Sequence, residues 1–324
     1  MAEGPPIASK DYPRQYRALW AEVIEALDRV FLDDDPILGK AVARFESALA
    51  AYHDVSHAIG VASGMAALEL TLRELGIGAG DEVITCAHTF TGVVSAIVLS
   101  GASPVLVDAD EKGLLPVDRA MAAITPRTRA LVAVHLYGHP VVDIDRLAEA
   151  AAGRGVHLVE DAAQAHGARW RARPVGSFGS AATLSFHPSK NLGAFGDAGA
   201  VLTRDRALAD RLRQARNLGK TGKYEFTSVA RNEKLDTIQA ALLQVKLRHL
   251  DTWVARRRAL AAAYQSGLTG VGDLVLPTEH PDAQHAFHLY VVQTSRRDEL
   301  RRFLAECGVH TGLHYPIAAH RQPA

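Results

Sequence analysis

Residues 182–203 read ATLSFHPSKNLGAFGDAGAVLT: a short apolar run, a loop rich in glycine, and a second apolar run. The flanking runs, AATLSF (181–186) and AGAVLT (198–203), have the length and small apolar character of buried strands bounded by turn residues. Across the end of the first run, the loop and the start of the second stand Ser185, His187 and Lys190, then Gly193, Gly196 and Gly199. A loop held between two core strands can enclose a lysine. Enclosure favours the neutral amine, which is the nucleophilic form able to condense with a carbonyl. Taken singly, a loop lysine is more often a solvated charge, so the decision falls to what surrounds it.

Upstream, similar runs recur at HAIGVAS (57–63), EVITC (82–86), SPVLVDA (103–109), RALVAVHLYG (129–138) and HLVEDA (157–162). Helical spacing separates them, as in Leu68, Leu72 and Leu75, or Leu147, Ala148 and Ala151. This alternation predicts an α/β fold with a mostly parallel sheet flanked by helices. Leu19, Val23, Leu27 and Val30 predict an opening amphipathic helix that stops at Asp33, Asp34, Asp35 and Pro36. Downstream, LDTIQAALLQVKLRHLDTWVARRRALAAAY (235–264) reads as one long helical pattern, with Leu235, Ile238, Leu242 and Val245 on one face. HAFHLYVVQT (285–294) and VHTGLHYP (309–316) read as strands around a helix over 296–308. The expected division is a large domain over 1–250 and a smaller C-terminal α+β domain over 251–324. Arg256, Arg257 and Arg258 read as a solvated helix face.

The chain has 324 residues, with Lys+Arg and Asp+Glu balanced at 36 each, so it lacks the positive excess that nucleic acid or an anionic membrane attracts. Small molecules are the expected partners. Cys86 and Cys307 are the only cysteines and lie far apart, which fits a reducing cytoplasm and suggests no disulfide framework. No apolar run approaches the roughly 18 residues of a membrane span. Histidines pair at four-residue spacing (His53/His57, His135/His139, His310/His314) without a metal-binding helix motif, so no metal is expected.

Ligands of open α/β sheets sit outside the carboxyl ends of the strands. In GVASGMAALEL (60–70), a strand gives way to a helix at Ser63 and Gly64, where free N–H groups suit a phosphate; an ordinary strand-to-helix turn is the plain alternative. In HLVEDAAQAHGA (157–168), Asp161 ends a buried-looking strand and Gln164 follows. A carboxylate there can hold a protonated ring nitrogen, or it can cap a helix. Phosphate turn, acidic strand end and loop lysine follow one another in a single sheet pattern, which raises the weight of each.

SFHPSKNLGAFGDAGAVLT (185–203), with EDAAQAHGA (160–168) before it and NEKLDTIQAALLQVKL (232–247) after it, resembles the sugar aminotransferases of the DegT/DnrJ/EryC1/StrS family, which have pyridoxal-phosphate fold type I. The likeness runs from PILGKAVARFESALAAY (36–52) through SGMAALELTLRELGIGAGDEVI (63–84) and VHLYGHP (134–140) to HYPIAAH (314–320). SGMAALEL and the KNLGAFGD region are most similar to enzymes that aminate carbon 3 of nucleotide-linked 3-keto-6-deoxyhexoses.

The resemblance implies a seven-stranded type of sheet. It implies Lys190 as the imine-forming lysine and proton shuttle, Asp161 as the pyridinium partner and Gln164 beside the cofactor's ring hydroxyl. It further implies Gly64, Met65 and Ser185 at the cofactor phosphate and Phe90 stacked on its ring. Asn232, with Lys234 as a rival, falls where family dimers reach the neighbouring subunit's phosphate; Tyr224, His314 and Tyr315 fall along the sugar-nucleotide cleft. Pyridoxal phosphate, L-glutamate, a nucleotide sugar and a homodimer with shared sites are implied with them. Met65 stands where a small hydroxyl residue is usual, Ala230 where glycine is expected, and Lys234 where arginine is commoner. Family members continue for several tens of residues beyond HYPIAAHRQPA (314–324), so the small domain is expected to be incomplete.

Three other readings compete. A pyridoxal-phosphate sugar dehydratase would carry histidine in place of Lys190. A nicotinamide-dependent oxidoreductase would place a glycine fingerprint between its first strand and helix, whereas GIGAGD (76–81) follows a helical stretch and reads as a turn. A non-catalytic regulator or partner subunit would keep the fold without turnover, and retention of Lys190, Asp161 and Gln164 together weighs against it.

Overall fold

The structure is a computed structural model that describes residues 7–8 and 10–323. The strands follow in order as β1 (His57–Val61), β2 (Glu82–Cys86), β3 (Ser103–Val107), β4 (Thr128–Val134) and β5 (His157–Asp161). A small ribbon follows, β6 (Arg169–Trp170) and β7 (Arg173–Pro174), then β8 (Ala181–Ser185) and β9 (Gly199–Thr203); β10 (Ala283–Gln284) returns to pair with β6. The seven apolar segments marked in the sequence form one sheet in the order β1-β9-β8-β5-β4-β2-β3. β8, β5, β4, β2 and β3 run parallel, and β9 is antiparallel to both its neighbours.

The helices are α1 (Tyr12–Asp33), α2 (Lys40–Tyr52), α3 (Gly64–Glu74), α4 (Thr91–Leu99), α5 (Val117–Ala122), α6 (Ile144–Ala152), α7 (Arg206–Ala215), α8 (Thr237–Leu247), α9 (Leu250–Leu268) and α10 (Arg297–Glu306). Side chains alternate across a strand, and the core divides accordingly. Val83, Val132 and Val159 pack with α3 and α4, while Ile59 and Val201 pack with α3 and α7. On the opposite face, Ile84, Leu131 and Leu158 meet α5 and α6, and Ala182, Leu184 and Leu202 meet α2 and α8. Asp161 follows Val159 by two and pairs with Thr183, so Asp161, Thr183 and Ser185 all lie on the α3 face.

Glu160 points to the other face and is fully buried. It accepts the N–H groups of Gly176 (2.7 Å), Phe178 (2.6 Å) and Gly179 (2.9 Å), and His135 Nε2 (3.0 Å). His135 Nδ1 accepts the Val141 N–H at 2.9 Å, so its proton sits on Nε2, aimed at the carboxylate. Burial disfavours the Glu160 charge, but the hydrogen bonds from His135 and the turn outweigh it and hold the pKa below the ordinary carboxylate range.

Three expectations change. The 235–264 pattern is two helices, with α8 ending at Leu247 and α9 starting at Leu250. Leu242 and Val245 pack on Leu19 and Val23 of α1, whereas Leu235 packs beneath β1 and Ile238 is 36 % exposed. The apparent single stripe therefore summed residues with different partners. Residues 285–294 and 309–316 form no ladder among the described residues, only isolated bridges, Val275 with Gln293 and Ile7 with Val309, and Phe287 takes a left-handed φ of 44°. An alternating pattern specifies extended backbone, but a strand also needs a neighbour. Here Ala286 and Leu289 donate instead to the carbonyls of Gly138 (2.9 Å) and Tyr137 (3.3 Å). Finally, Arg257 and Arg258 are half-buried, and only Arg256 of that trio is exposed.

Glu160→Ala would leave His135 and three turn amides without their acceptor, so urea unfolding at neutral pH should register a loss of about 3–5 kcal/mol. Because the folded pKa lies below the unfolded one, Glu160's contribution is present above roughly pH 4.3 and is lost as pH falls through the folded value. The variant's stability should therefore converge on wild type in acid.

Candidate active site

The carboxyl ends of β2, β4, β5 and β8 open on the same edge of the sheet. Asp161, the last residue of β5, is buried there. Its Oδ1 accepts the Ala163 N–H at 3.0 Å, and its other oxygen has no protein partner among the described residues. No helix follows, so the carboxylate closes a turn rather than capping a helix. Thr183, paired with Asp161 across the sheet, has a buried hydroxyl without a partner among the described residues.

Lys190 stands in the loop after β8, its N–H bonded to the His187 carbonyl at 2.8 Å. Burial lowers its pKa, with Lys10 adding to the effect and Asp161 opposing it. For Asp161, burial raises the pKa against the pull of the Ala163 N–H and Lys190. Desolvation thus pushes both groups toward their neutral forms while their mutual attraction favours the ions.

The loop is anchored from below by α8. Gln239 bridges the Phe195 N–H (2.9 Å) and carbonyl (3.2 Å). Lys246, buried, donates to the Gly193 carbonyl at 2.7 Å and lies 4.6 Å from the Phe195 ring centroid. Burial lowers its pKa to about 8. Asn191 ties the loop sideways to the Ala286 carbonyl at 3.0 Å.

At the start of α3, Ser63 Oγ accepts the Ala66 N–H at 3.1 Å and Ser63 O accepts that of Ala67 at 2.9 Å, leaving the Gly64 and Met65 N–H groups without a partner among the described residues. A Cβ on Gly64 would lie 2.6 Å from Ser185 Cβ, and one on Gly199 would lie 2.3 Å from the Ser63 carbonyl oxygen. Both glycines therefore let β8 and β9 approach this turn, and they set Ser185 beside the free amides. The Met65 side chain points outward, 40 % exposed.

Gln164 is buried between two tyrosines. Its Oε1 accepts the Tyr137 N–H at 2.7 Å and its Nε2 donates to the Tyr315 hydroxyl at 3.0 Å. Phe90, 56 % exposed at the start of α4, has its ring centroid 5.9 Å from that of Tyr315. The Tyr137 hydroxyl donates to the His314 carbonyl, so His88 Nε2 is the donor in its 2.8 Å contact with that hydroxyl. The 314–315 segment is thus tied to the site edge at two points.

Asn232 and Tyr224 lie apart from this group. Both are exposed, and among the described residues neither has a hydrogen bond or ring contact with Lys190, Asp161 or Gln164. Asn232 takes a hydrogen bond from Lys234, and Tyr224 stands 83 % exposed within a protruding segment, 217–232. Sequence reasoning did not single out Tyr137, Gln239 or Lys246. Each acts through a contact distant in the chain, for which periodicity carries no signal.

Among the described residues, no three His, Cys, Asp or Glu side chains gather as metal ligands, and no helix is long and apolar enough to cross a membrane. Two surface clefts of about 410 Å³ lie elsewhere, one between Arg169 and Arg258, the other beside Tyr52 and Arg248.

Residues 18–324 match the DegT/DnrJ/EryC1/StrS aminotransferase family. Over 325 aligned residues the chain is 49 % identical to the dTDP-3-amino-3,4,6-trideoxy-alpha-D-glucose transaminase of Streptomyces venezuelae, covering 100 % of this chain and 85 % of that one. The crystal structure of S. venezuelae DesV in complex with a ketimine intermediate superposes with a TM-score of 0.96 at 49 % identity, covering 99 % of this chain and 86 % of that one. NtdA of Bacillus subtilis, solved with bound cofactor PMP, gives a TM-score of 0.87 at 30 % identity, covering 95 % of this chain and 71 % of that one. In sequence and in fold, the chain belongs to the DegT/DnrJ/EryC1/StrS aminotransferase family, whose cofactor is pyridoxal phosphate.

Proposed function

We propose that this aminotransferase moves an amino group from L-glutamate to the C3 keto group of a nucleotide-linked deoxysugar, with Lys190 as the reacting amine and Asp161 as the partner of the cofactor's ring nitrogen. The observation that carries the assignment is the pairing of a desolvated amine with a buried carboxylate that keeps one oxygen free, each within the electrostatic reach of the other. The name of the 49 % identical Streptomyces venezuelae relative supports the sugar class and the C3 position.

The residues present fit pyridoxal phosphate. Gly64 and Met65 offer free amides, Ser185 a hydroxyl beside them, and Asp161 an open oxygen on the same face of the sheet. When bound, the cofactor supplies an electron sink for the charge left when the donor loses its α proton. Lys190 Nζ, pushed toward the neutral amine by burial, is the base that takes that proton. Asp161, through its free oxygen, would hold a proton on the cofactor's ring nitrogen. Gln164, pinned between Tyr137 and Tyr315, has a second amide hydrogen to give to the ring hydroxyl. The Phe90 ring, exposed at the start of α4, would stack on the cofactor's face.

His314 and Tyr315 border the sugar cleft in this reading, with Tyr315 also positioning Gln164. Tyr224 borders the sugar-nucleotide cleft, and Asn232 the cofactor phosphate, of the neighbouring subunit across a homodimer interface. Supporting this, the 217–232 segment exposes Tyr224 (83 %), Phe226 (55 %) and Val229 (96 %), more apolar surface than a lone hairpin has reason to show. Two free cysteines, Cys86 and Cys307, suit a cytoplasmic setting. The cofactor-binding domain is taken to end near residue 250, at the break between α8 and α9.

Offered L-glutamate with a panel of 3-keto and 4-keto sugar nucleotides, the chain should aminate the 3-keto compounds, as read by product mass and NMR; amination confined to 4-keto sugars would refute the C3 assignment. Lys190→Ala should lose the absorbance of lysine-bound cofactor and its fixation by borohydride, and full stoichiometric labelling of the variant would overturn the role of Lys190. Gly64→Ala, by driving a methyl group against Ser185, should weaken pyridoxal phosphate binding about tenfold or more in fluorescence titration while the chain stays folded.

A further inference from the structure

Between the protruding segment and α8, backbone bridges recur at every second residue: Asn232 with Asn217, Lys234 with Val61 and Asp236 with Ile37. Alternate side chains of this stretch therefore face opposite ways. Leu235 turns toward its own subunit, buried so closely under β1 that a Cβ on Gly60 would lie 2.5 Å from its Cδ2. Arg231 turns the same way and meets Glu69, in the second turn of α3. Asn232 and Lys234 share the other side, where Lys234 Nζ donates to Asn232 Oδ1. The Asn232 Nδ2 hydrogens are left without a partner among the described residues.

The Arg231 contact with Glu69 is two-pronged, Nη2 to Oε1 at 3.2 Å and Nη1 to Oε2 at 3.4 Å, and Arg73 adds a third approach at 3.5 Å. The Glu69 side chain is 6 % exposed and that of Arg231 50 %, so the carboxylate is the fixed end of the pair. A buried carboxylate needs its cation, which draws Arg231 down onto α3.

That contact matters because segment 217–232 otherwise bonds to itself. The Leu218 N–H donates to the Arg231 carbonyl (3.0 Å), that of Thr227 to Gly219 (3.0 Å) and that of Thr221 to Glu225 (3.1 Å). No hydrogen bond or ion pair ties residues 220–230 to the body among the described residues. A lone hairpin has little stability of its own, so its direction is set at its two legs. One leg follows Arg216, whose buried guanidinium bonds to Glu46 and to the Gly60 carbonyl (2.7 Å). The other is held by Arg231 on Glu69.

We propose that Glu69 is a positioning residue for the partner subunit's active site: by holding Arg231, it aims the adjacent Asn232 outward at the cofactor phosphate of the second copy. The inference rests on the homodimer reading given above. Hydrogen bonds weaken steeply with distance and misalignment, so a leg that drifts by about 1 Å loses the contact. Helix α3 then has two tasks, receiving its own subunit's phosphate at Gly64 and Met65 and steering the arm that leaves for the other.

Hybrid dimers, purified through two different tags, separate an effect on the partner from an effect inside one chain. Glu69→Gln homodimers should bind pyridoxal phosphate about five- to twentyfold more weakly than wild type, read by borohydride fixation at Lys190 across a range of cofactor concentrations. Paired with a Lys190→Ala chain, the Glu69→Gln subunit holds the one site that can be fixed, and that site receives an unaltered arm, so wild-type affinity should return. A chain carrying both substitutions, paired with wild type, reverses the arrangement, and the fixable site should bind as weakly as in the Glu69→Gln homodimer. Arg231→Met, altered at the exposed end of the pair, should reproduce each result and stands in if Glu69→Gln does not fold. Undiminished affinity in the variant homodimers would overturn the proposal. So would a hybrid with Lys190→Ala that stays weak, because Glu69 would then act within its own subunit; the homodimer reading would survive either result. A wild-type chain that sediments as a monomer would refute the homodimer, and the role of Glu69 with it.

Discussion

Glu160 and Asp161 are adjacent carboxylates on one buried strand, and the two-residue period of β5 sends them to opposite faces of the sheet. Two neighbouring acids in a core would ordinarily repel and desolvate one another at high cost. Here Glu160 is surrounded by four donors, including the Nε2 proton of His135, so its charge is fully committed to the side away from the site. The His135 N–H, in turn, donates to the Asp161 carbonyl at 3.0 Å, which ties the clamp to the strand end. Asp161 is left with one oxygen satisfied and one open. The same alternation on β8 places Thr183 and Ser185 on the Asp161 side, so a single geometric rule assembles the ring-nitrogen end and the phosphate end on one surface.

The lysine loop needs a different kind of support, because it has no ladder of its own. Gln239 and Lys246 of α8 hold Phe195 and Gly193, and Asn191 holds the chain at Ala286. A second buried lysine under the first is costly, yet its ammonium is spent on a loop carbonyl and an aromatic face rather than on a carboxylate. That choice keeps another anion away from Lys190, whose pKa is already a contest between burial and Asp161.

Much of this was legible in the sequence. Seven apolar runs separated by helical spacing gave the sheet, because a parallel sheet covered on both faces must read as short apolar segments. Asp161 and Lys190 stand at strand ends, where open α/β sheets present their chemistry, and the family resemblance supplied their roles. Less was legible where the determinant was a pairing between distant parts of the chain. Gln164 meets Tyr315 across 151 positions and Lys246 meets Gly193 across 53, and nothing in local spacing announces either. Residues 285–294 kept their alternating pattern, but Ala286 and Leu289 spend their N–H groups on residues 138 and 137 instead of on a neighbouring strand. The three arginines of α9 looked alike as a charge run and have three different environments, because helical geometry separates consecutive residues.

The proposed chemistry depends on a proton held between the open oxygen of Asp161 and the cofactor's ring nitrogen. Nitrogen-15 NMR of the chain loaded with ring-labelled pyridoxal phosphate reads that proton directly. A chemical shift in the protonated pyridinium range, moving to that of a neutral pyridine in Asp161→Ala, is the predicted result. A neutral pyridine shift in the wild-type chain near pH 7, or a pyridinium shift that survives loss of the carboxylate, would contradict the account.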